Sequence, residues 1–196
     1  MKTSIAKHFI PAGILSLLLA ACYPLHFDRL PGDRHERIPW NLRGEYRRIP
    51  SGSKDKTMHV RVDEYSIYMQ GTPVNQSRFI HYDDAIDDSS RADTMKLNRD
   101  FQVTQFGRNL YAIGAIDTME NGKTAWTMQV IRDAGRQLYT YGFYEGLQED
   151  ALDKVLKSQI RDDDSSKTYT MDDAVFADFC THNLRKKDAI RWQRIK

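Results

Sequence analysis

The stretch Ala125-Trp-Thr-Met-Gln-Val-Ile131, then Asp133-Ala-Gly135, then Gln137-Leu-Tyr-Thr-Tyr-Gly-Phe-Tyr144 carries apolar residues at a period of two on both sides of a short polar break. That period belongs to strands, whose successive side chains point to opposite faces, and Asp-Ala-Gly has the chemistry of a turn. Trp126, Met128 and Val130 share one face of the first run. In the second run, Leu138 with Thr140 forms one candidate inner face and Tyr139, Tyr141 and Phe143 the other, and periodicity does not choose between them.

Working towards the N-terminus, the pattern repeats. Phe101 to Phe106 alternates, Gly107-Arg-Asn109 turns, Leu110 to Ile116 is strand-like, and Asn121-Gly122 marks a hairpin before the opening strand. Strands at intervals of about ten residues with turn chemistry between them predict an antiparallel meander. Shorter runs precede it: Asn41 to Ile49, Thr57 to Asp63, Tyr65 to Gln70, Arg78 to Tyr82, and a weaker one at Thr94 to Leu97. Asp83 to Asp93 reads as a polar loop.

Towards the C-terminus the period changes. Leu152, Val155, Leu156 and Ile160 are spaced by three and four, which predicts a helix over 148–160. A second helix is expected from Thr170, with Asp173 at capping-box spacing and Val175, Phe176, Phe179, Cys180 and Leu184 along one stripe. Ala189 to Ile195 alternates again as a final strand. The expected fold class is therefore α+β. It comprises an antiparallel β-barrel or strongly curved meander sheet of about seven to nine strands, with two C-terminal helices and a last short strand.

The first residues have a different character. Lys2 and Lys7 precede an apolar stretch from Phe9 that ends on Ala20-Ala21 and is followed by Cys22, Tyr23 and Pro24. A basic start, a short apolar centre and small residues at the cut are the layout of a secretory signal, and about a dozen apolar residues fall short of the 18 or more that a spanning helix needs. Leu19-Ala20-Ala21-Cys22 resembles the lipobox of bacterial lipoproteins. The resemblance implies cleavage before Cys22, acylation of its sulfur and new amino group, and membrane attachment by several acyl chains on one residue. With no aspartate at Tyr23, it further implies the outer membrane, with the domain facing the periplasm. The domain organisation expected is a signal peptide over 1–21, an acylated cysteine and flexible tether over 22–39, where Pro24, Pro31, Gly32 and Pro39 interrupt any period, and a single α+β domain over 40–196.

Removing 1–21 takes away two lysines and no acidic residue, which leaves 27 basic and 27 acidic side chains. A neutral domain of this kind is not expected to bind nucleic acid. With Cys22 acylated, Cys180 is the sole thiol, no internal disulfide is possible and the fold must rest on its core.

Candidate chemistry is sparse. Counting from Asp162, oxygen side chains at Asp162, Asp164, Ser166, Thr168 and Thr170, with Asp173 twelfth, are spaced as in a calcium loop. Lys167, however, stands where that loop needs glycine, so no metal is expected. Cys180 and His182 are two apart, which on a helix points them to different faces. The mature histidines His26, His35, His59, His81 and His182 are scattered, no nucleophile elbow or phosphate loop occurs, and no cofactor is expected. Tyr139, Tyr141, Phe143 and Tyr144 are candidates to line a glycan or apolar-ligand site, and core packing is the favoured reading of the set.

Asn41-Leu-Arg-Gly44-Glu-Tyr46-Arg-Arg48 resembles the opening strand of lipocalins, with Tyr46 in the place of that family's Gly-x-Trp tryptophan at the closed end of the barrel. This resemblance covers about eight residues and implies a calycin-like carrier as an alternative function. The main expectation is a lipid-anchored envelope protein with a non-catalytic binding or scaffolding role towards a protein, glycan or lipid partner. A hydrolase with an unrecognised site ranks behind both.

Overall fold

The computed structural model describes residues 25–50, 58–70, 93–118, 124–143, 149–161 and 164–195. In chain order the strands are β1 (His26–Phe27), β2 (Asp33–His35), β3 (Gly44–Ile49), β4 (His59–Val62), β5 (Ser66–Gln70), β6 (Asp93–Lys96), β7 (Phe101–Gly107), β8 (Leu110–Thr118), β9 (Thr124–Asp133), β10 (Gln137–Gly142), β11 (Ser158–Arg161), β12 (Asp164–Tyr169) and β13 (Ile190–Arg194). The helices are α1 (Glu149–Leu152) and the longer α2 (Asp173–Asn183), and a 3-10 turn at Trp40–Leu42 leads into β3. The molecule is a mostly antiparallel sheet curled into a half-barrel, with few helical residues.

The meander β7–β8–β9–β10 is present in register: Val103 faces Ile113, Tyr111 faces Ile131 and Thr140 faces Ile131. The pairing of β8 with β9 runs to Thr118 opposite Thr124, while Asn121-Gly122 and the Arg78–Tyr82 run lie outside the described residues. The C-terminal strand β13 is inserted between β10 and β3, pairing Leu138 with Trp192 on one edge and Arg48 with Trp192 on the other. It therefore joins the meander to the β3–β6 hairpins.

Both faces of β8–β10 are covered, which explains why alternation alone did not select one. On the inner face Tyr111, Ile131 and Leu138 pack with Val103 of β7 and with Tyr46, Val62 and Ile67 of β3, β4 and β5. Strands far apart in the order β7-β8-β9-β10-β13-β3-β4-β5 share this core only because the sheet curls. On the outer face Ala112, Met128, Val130, Tyr139, Tyr141 and Phe143 lie under Phe176, Phe179 and Cys180 of α2. Arg132 ties the two layers together by donating to the carbonyl of Cys180 at 2.7 Å.

Three expectations are corrected. The segment up to Pro39, read as a flexible tether, is packed from Leu25 onward: Leu25 is 3% exposed, Phe27 0% and Ile38 1%. Phe27 pairs with Trp126 of β9 and with Tyr169 of β12, the latter in parallel, and its ring meets Phe143, Tyr169 and Phe176 at 6.0, 5.7 and 6.0 Å. Two glycines receive this segment. A Cβ on Gly114 would lie 2.4 Å from Leu30 and 2.8 Å from the Thr127 carbonyl oxygen, and one on Gly32, at φ +75°, would lie 2.1 Å from the Gln105 carbonyl oxygen. Only a residue without a side chain allows these approaches.

The helix expected over 148–160 is cut to one turn. Leu152 and Leu156 are buried as their spacing suggested, but Val155 is 43% exposed and Ser158 begins β11. Tertiary contacts override the helical period here: Lys167 and Tyr169 of β12 bond to Asp153, and the Thr170 amide donates to the Lys157 carbonyl. The second helix starts three residues later than expected, because the Asp172 side chain, not Thr170, accepts from the Val175 amide at 3.1 Å.

If the N-terminal segment is core, truncating its central side chain must cost what a core phenylalanine costs. Phe27→Ala should lower unfolding free energy by about 3–5 kcal/mol in a denaturant titration, and Gly114→Ala by about 1–3 kcal/mol through overpacking. Loss under about 1 kcal/mol for Phe27→Ala would show that the segment does not contribute to the core.

Candidate functional site

An exposed feature on a backbone held by several hydrogen bonds lies just before β3. Trp40, on the 3-10 turn, is 80% exposed, although the backbone beneath it is held from several sides. The Arg43 amide donates to the Trp40 carbonyl at 3.1 Å and the Arg43 Nε to the Ile38 carbonyl at 2.7 Å. Asn41 Nδ2 donates to the Tyr111 hydroxyl and to Asp133 Oδ2, each at 2.8 Å. The Arg194 guanidinium donates to the Asn41 carbonyl, reaches the Tyr46 hydroxyl with Nε at 3.1 Å, and lies 5.2 Å from the centre of the Tyr46 ring. The Tyr46 hydroxyl in turn donates to the Leu42 carbonyl at 2.9 Å. Burial raises the Tyr46 pKa, so the phenol stays protonated and able to donate. The last strand thus locks the turn that presents Trp40.

Around this turn, Arg37 lies 5.8 Å from the ring centre of Tyr65, itself 47% exposed, and pairs with Glu64 at 2.8 Å. Ile195, 48% exposed, follows β13 with its amide on the Glu45 carbonyl at 2.7 Å. Alongside runs a shallow groove lined by Arg43, Gly44, Glu45, Arg61, Val62, Asp63 and Glu64. Its charges are paired: Arg61 grips Asp63 through two bonds of 3.1 and 2.8 Å, which lowers the Asp63 pKa, and Arg43 lies 3.7 Å from Glu64. A face of aromatic side chains among compensated charges exerts little long-range field, so recognition here would come from contact rather than steering.

The residues picked from sequence lie elsewhere. Tyr139, Tyr141 and Phe143 are 7, 2 and 1% exposed, and all three are in the outer-face core under α2 and the N-terminal segment rather than lining an open site. Tyr139 donates to Gln137 at 2.7 Å, and Arg132 lies 5.8 Å from the ring centre of Tyr141. Where a calcium loop needs helix–loop–helix geometry, the chain forms the antiparallel hairpin β11–β12. Asp162 lies outside the described residues, Asp164, Ser166 and Thr168 belong to β12, and Asp173 opens α2 and pairs with Arg29 at 2.8 Å. Lys167 is held by Glu149 at 2.8 Å and Asp153 at 2.7 Å, whose hydrogen bonds raise its pKa. Among the described residues no group of three His, Cys, Asp or Glu side chains is placed to hold a metal. Cys22 lies outside the described residues.

Three further buried groups are displaced in the same direction as Tyr46. Burial pushes the Cys180 thiol and the Tyr141 and Tyr169 phenols above their ordinary values, and all stay protonated at neutral pH. Cys180 is 0% exposed, while His182 is on the exposed face beside Asp178, so the pair is separated as helical spacing dictates. None of these groups is a poised nucleophile or base.

The Arg194–Tyr46 lock was not read from sequence, because its partners are separated by 148 positions. The one signal available was the resemblance that singled out Gly44-Glu-Tyr46. Comparisons with protein-family models, with curated proteins and with solved structures find no match.

A thiol with a raised folded pKa contributes stability that is present below its ordinary value of 9.0 and is lost as pH rises above it, since only the unfolded chain then ionises freely. Cys180 should resist thiol reagents in native protein at pH 8 and react stoichiometrically in denaturant. Unfolding free energy should fall as pH passes about 9 to 10. Rapid native labelling of Cys180 would contradict its burial.

Proposed function

We propose that the chain is a lipid-anchored protein of the cell envelope, attached through acylated Cys22 at the outer membrane and facing the periplasm. Its role is non-catalytic: it binds or scaffolds an envelope partner, a protein or glycan surface in preference to a lipid, through the Trp40 face. The observation that carries this reading is Trp40 itself, 80% exposed on a turn fixed by Arg43, Asn41 and Arg194. An exposed tryptophan on a fixed backbone turn, near Tyr65 and Arg37, brings together residue types that dominate binding energy at interfaces, and no backbone ordering is needed on docking. The ionisable groups that burial shifts are used as struts, which favours binding over chemistry.

We read the half-barrel as a barrel-type wall whose gap is bridged by the segment between β2 and β3. The bonding of β2 to β7 and of the Ile38 amide to the Glu64 carbonyl supports that reading. A calycin-like carrier draws less support, because Tyr46, Val103, Ile131 and Leu138 fill the inner face.

Two measurements test the proposal. The intact mass of membrane-extracted protein should correspond to residues 22–196 plus acyl groups, and a mass retaining 1–21 or lacking acyl additions would reject the anchor. A photo-crosslinking residue at position 40 should yield a discrete adduct in cells that the same probe at exposed Arg99 does not. Indistinguishable patterns from the two sites would reject the Trp40 face.

A further inference from the structure

We propose that the flank formed by Leu25, α1 and the turn after it rests on the lipid surface, with Val155 between Lys154 and Lys157 as its contact, while the Trp40 end stands away. This rests on the reading that Cys22 is acylated, and it adds an orientation to that reading.

Only Tyr23 and Pro24 separate the modified residue from Leu25. Leu25 is 3% exposed, with its amide on the Phe143 carbonyl at 3.0 Å, so it is a fixed point of the domain. Three residues reach about 10 Å at full extension. Such a link allows no standing-off of the domain, and the surface around Leu25 must lie at the headgroups.

Register identifies that surface. His26 pairs with Thr168, which puts Leu25 beside Lys167, whose ammonium is held by Glu149 and Asp153. Directly after Asp153 come exposed Lys154, Val155 at 43% exposure, and exposed Lys157, while Leu156 between them is buried. With Glu149 and Asp153 bound to Lys167, exposed Lys154 and Lys157, which make no ion pair among the described residues, flank an exposed aliphatic side chain. Val155 can enter the headgroup boundary while the lysine stems lie flat and their ammonium groups reach phosphate.

The other end lies farther along the sheet. Phe27 faces Trp126, so Leu25 stands level with Met128 on β9, and Asn41 is bonded to Asp133 five residues further along the same strand. At the strand rise this is about 17 Å. In the proposed orientation β9 stands upright on the Leu25 flank, which holds Trp40 that distance from the headgroups and leaves it free for a partner.

The test uses the full chain, expressed with its leader, extracted and reconstituted into vesicles of phosphatidylethanolamine and phosphatidylglycerol carrying a headgroup-region quencher. Val155→Cys and Lys154→Cys report on the flank, Trp40→Cys and Tyr65→Cys on the far end. All four sites are exposed, so folding is not at stake, and buried Cys180 does not compete for the fluorophore. Quenching at positions 154 and 155 at least three-fold greater than at 40 and 65 is expected. Equal quenching, or the reverse order, in a preparation whose mass shows the acyl groups would overturn the orientation and leave the anchor intact. A preparation found in the membrane without acyl groups would overturn the anchor and the orientation with it.

Discussion

The fold depends on Phe27 entering the gap that β9 leaves open. Beyond Gly142 the strand β10 ends, and the edge of β9 that it occupied is free at Trp126; β1 takes that place and also carries β12 on its other edge. The Phe27 ring then joins Phe143 and Tyr169 from the sheet side to Phe176 of α2, and Phe176 also touches Phe106 and Phe179. Each such aromatic pair contributes about 0.5–1.5 kcal/mol beyond area burial, and here they link segments around residues 27, 106, 143 and 169–179 that share no local sequence. Without Phe27, the hairpin β11–β12 would lose its strand connection to β9 and the outer core its centre.

The second constraint is β13. Its insertion between β10 and β3 makes one sheet of two groups of strands, and its last residue, Arg194, reaches back to the Asn41 carbonyl and the Tyr46 hydroxyl. Assembly of the sheet and fixing of the Trp40 turn are therefore one event. A binding surface made this way is preorganised, because the interactions that hold its backbone are those that close the sheet.

Sequence period revealed what is local. The meander from Phe101 to Tyr144 was readable because each strand is long enough to alternate and each turn carries Gly or Asn chemistry. The strands β1, β2, β11 and β12 were not: two to six residues long, they are strands because of the partners they meet, and Leu25, Phe27 and Ile38 are spread among prolines and charges that mimic a linker. Leu152, Val155, Leu156 and Ile160 fit a helix by spacing, yet Lys167 and Tyr169 pull the chain out of it after one turn. The aromatic run Tyr139, Tyr141, Phe143 was ambiguous for a physical reason, since a strand buried on both faces offers no polar side to contrast with. The Trp40 face escaped because its exposure is set by contacts from Arg194, more than 150 residues away.

Residues 25–38 are part of the packed domain, with Leu25, Phe27 and Ile38 in its cores. Hydrogen–deuterium exchange on the protein produced from Tyr23 onward measures this directly. The amides of Leu25, Asp28 and Ile38, bonded to the carbonyls of Phe143, Tyr169 and Glu64 at 3.0, 3.0 and 2.8 Å, should exchange as slowly as those of β9. Exchange of these three amides at the rate of an unstructured chain, while β9 remains protected, would return residues 25–38 to a tether and contradict the account.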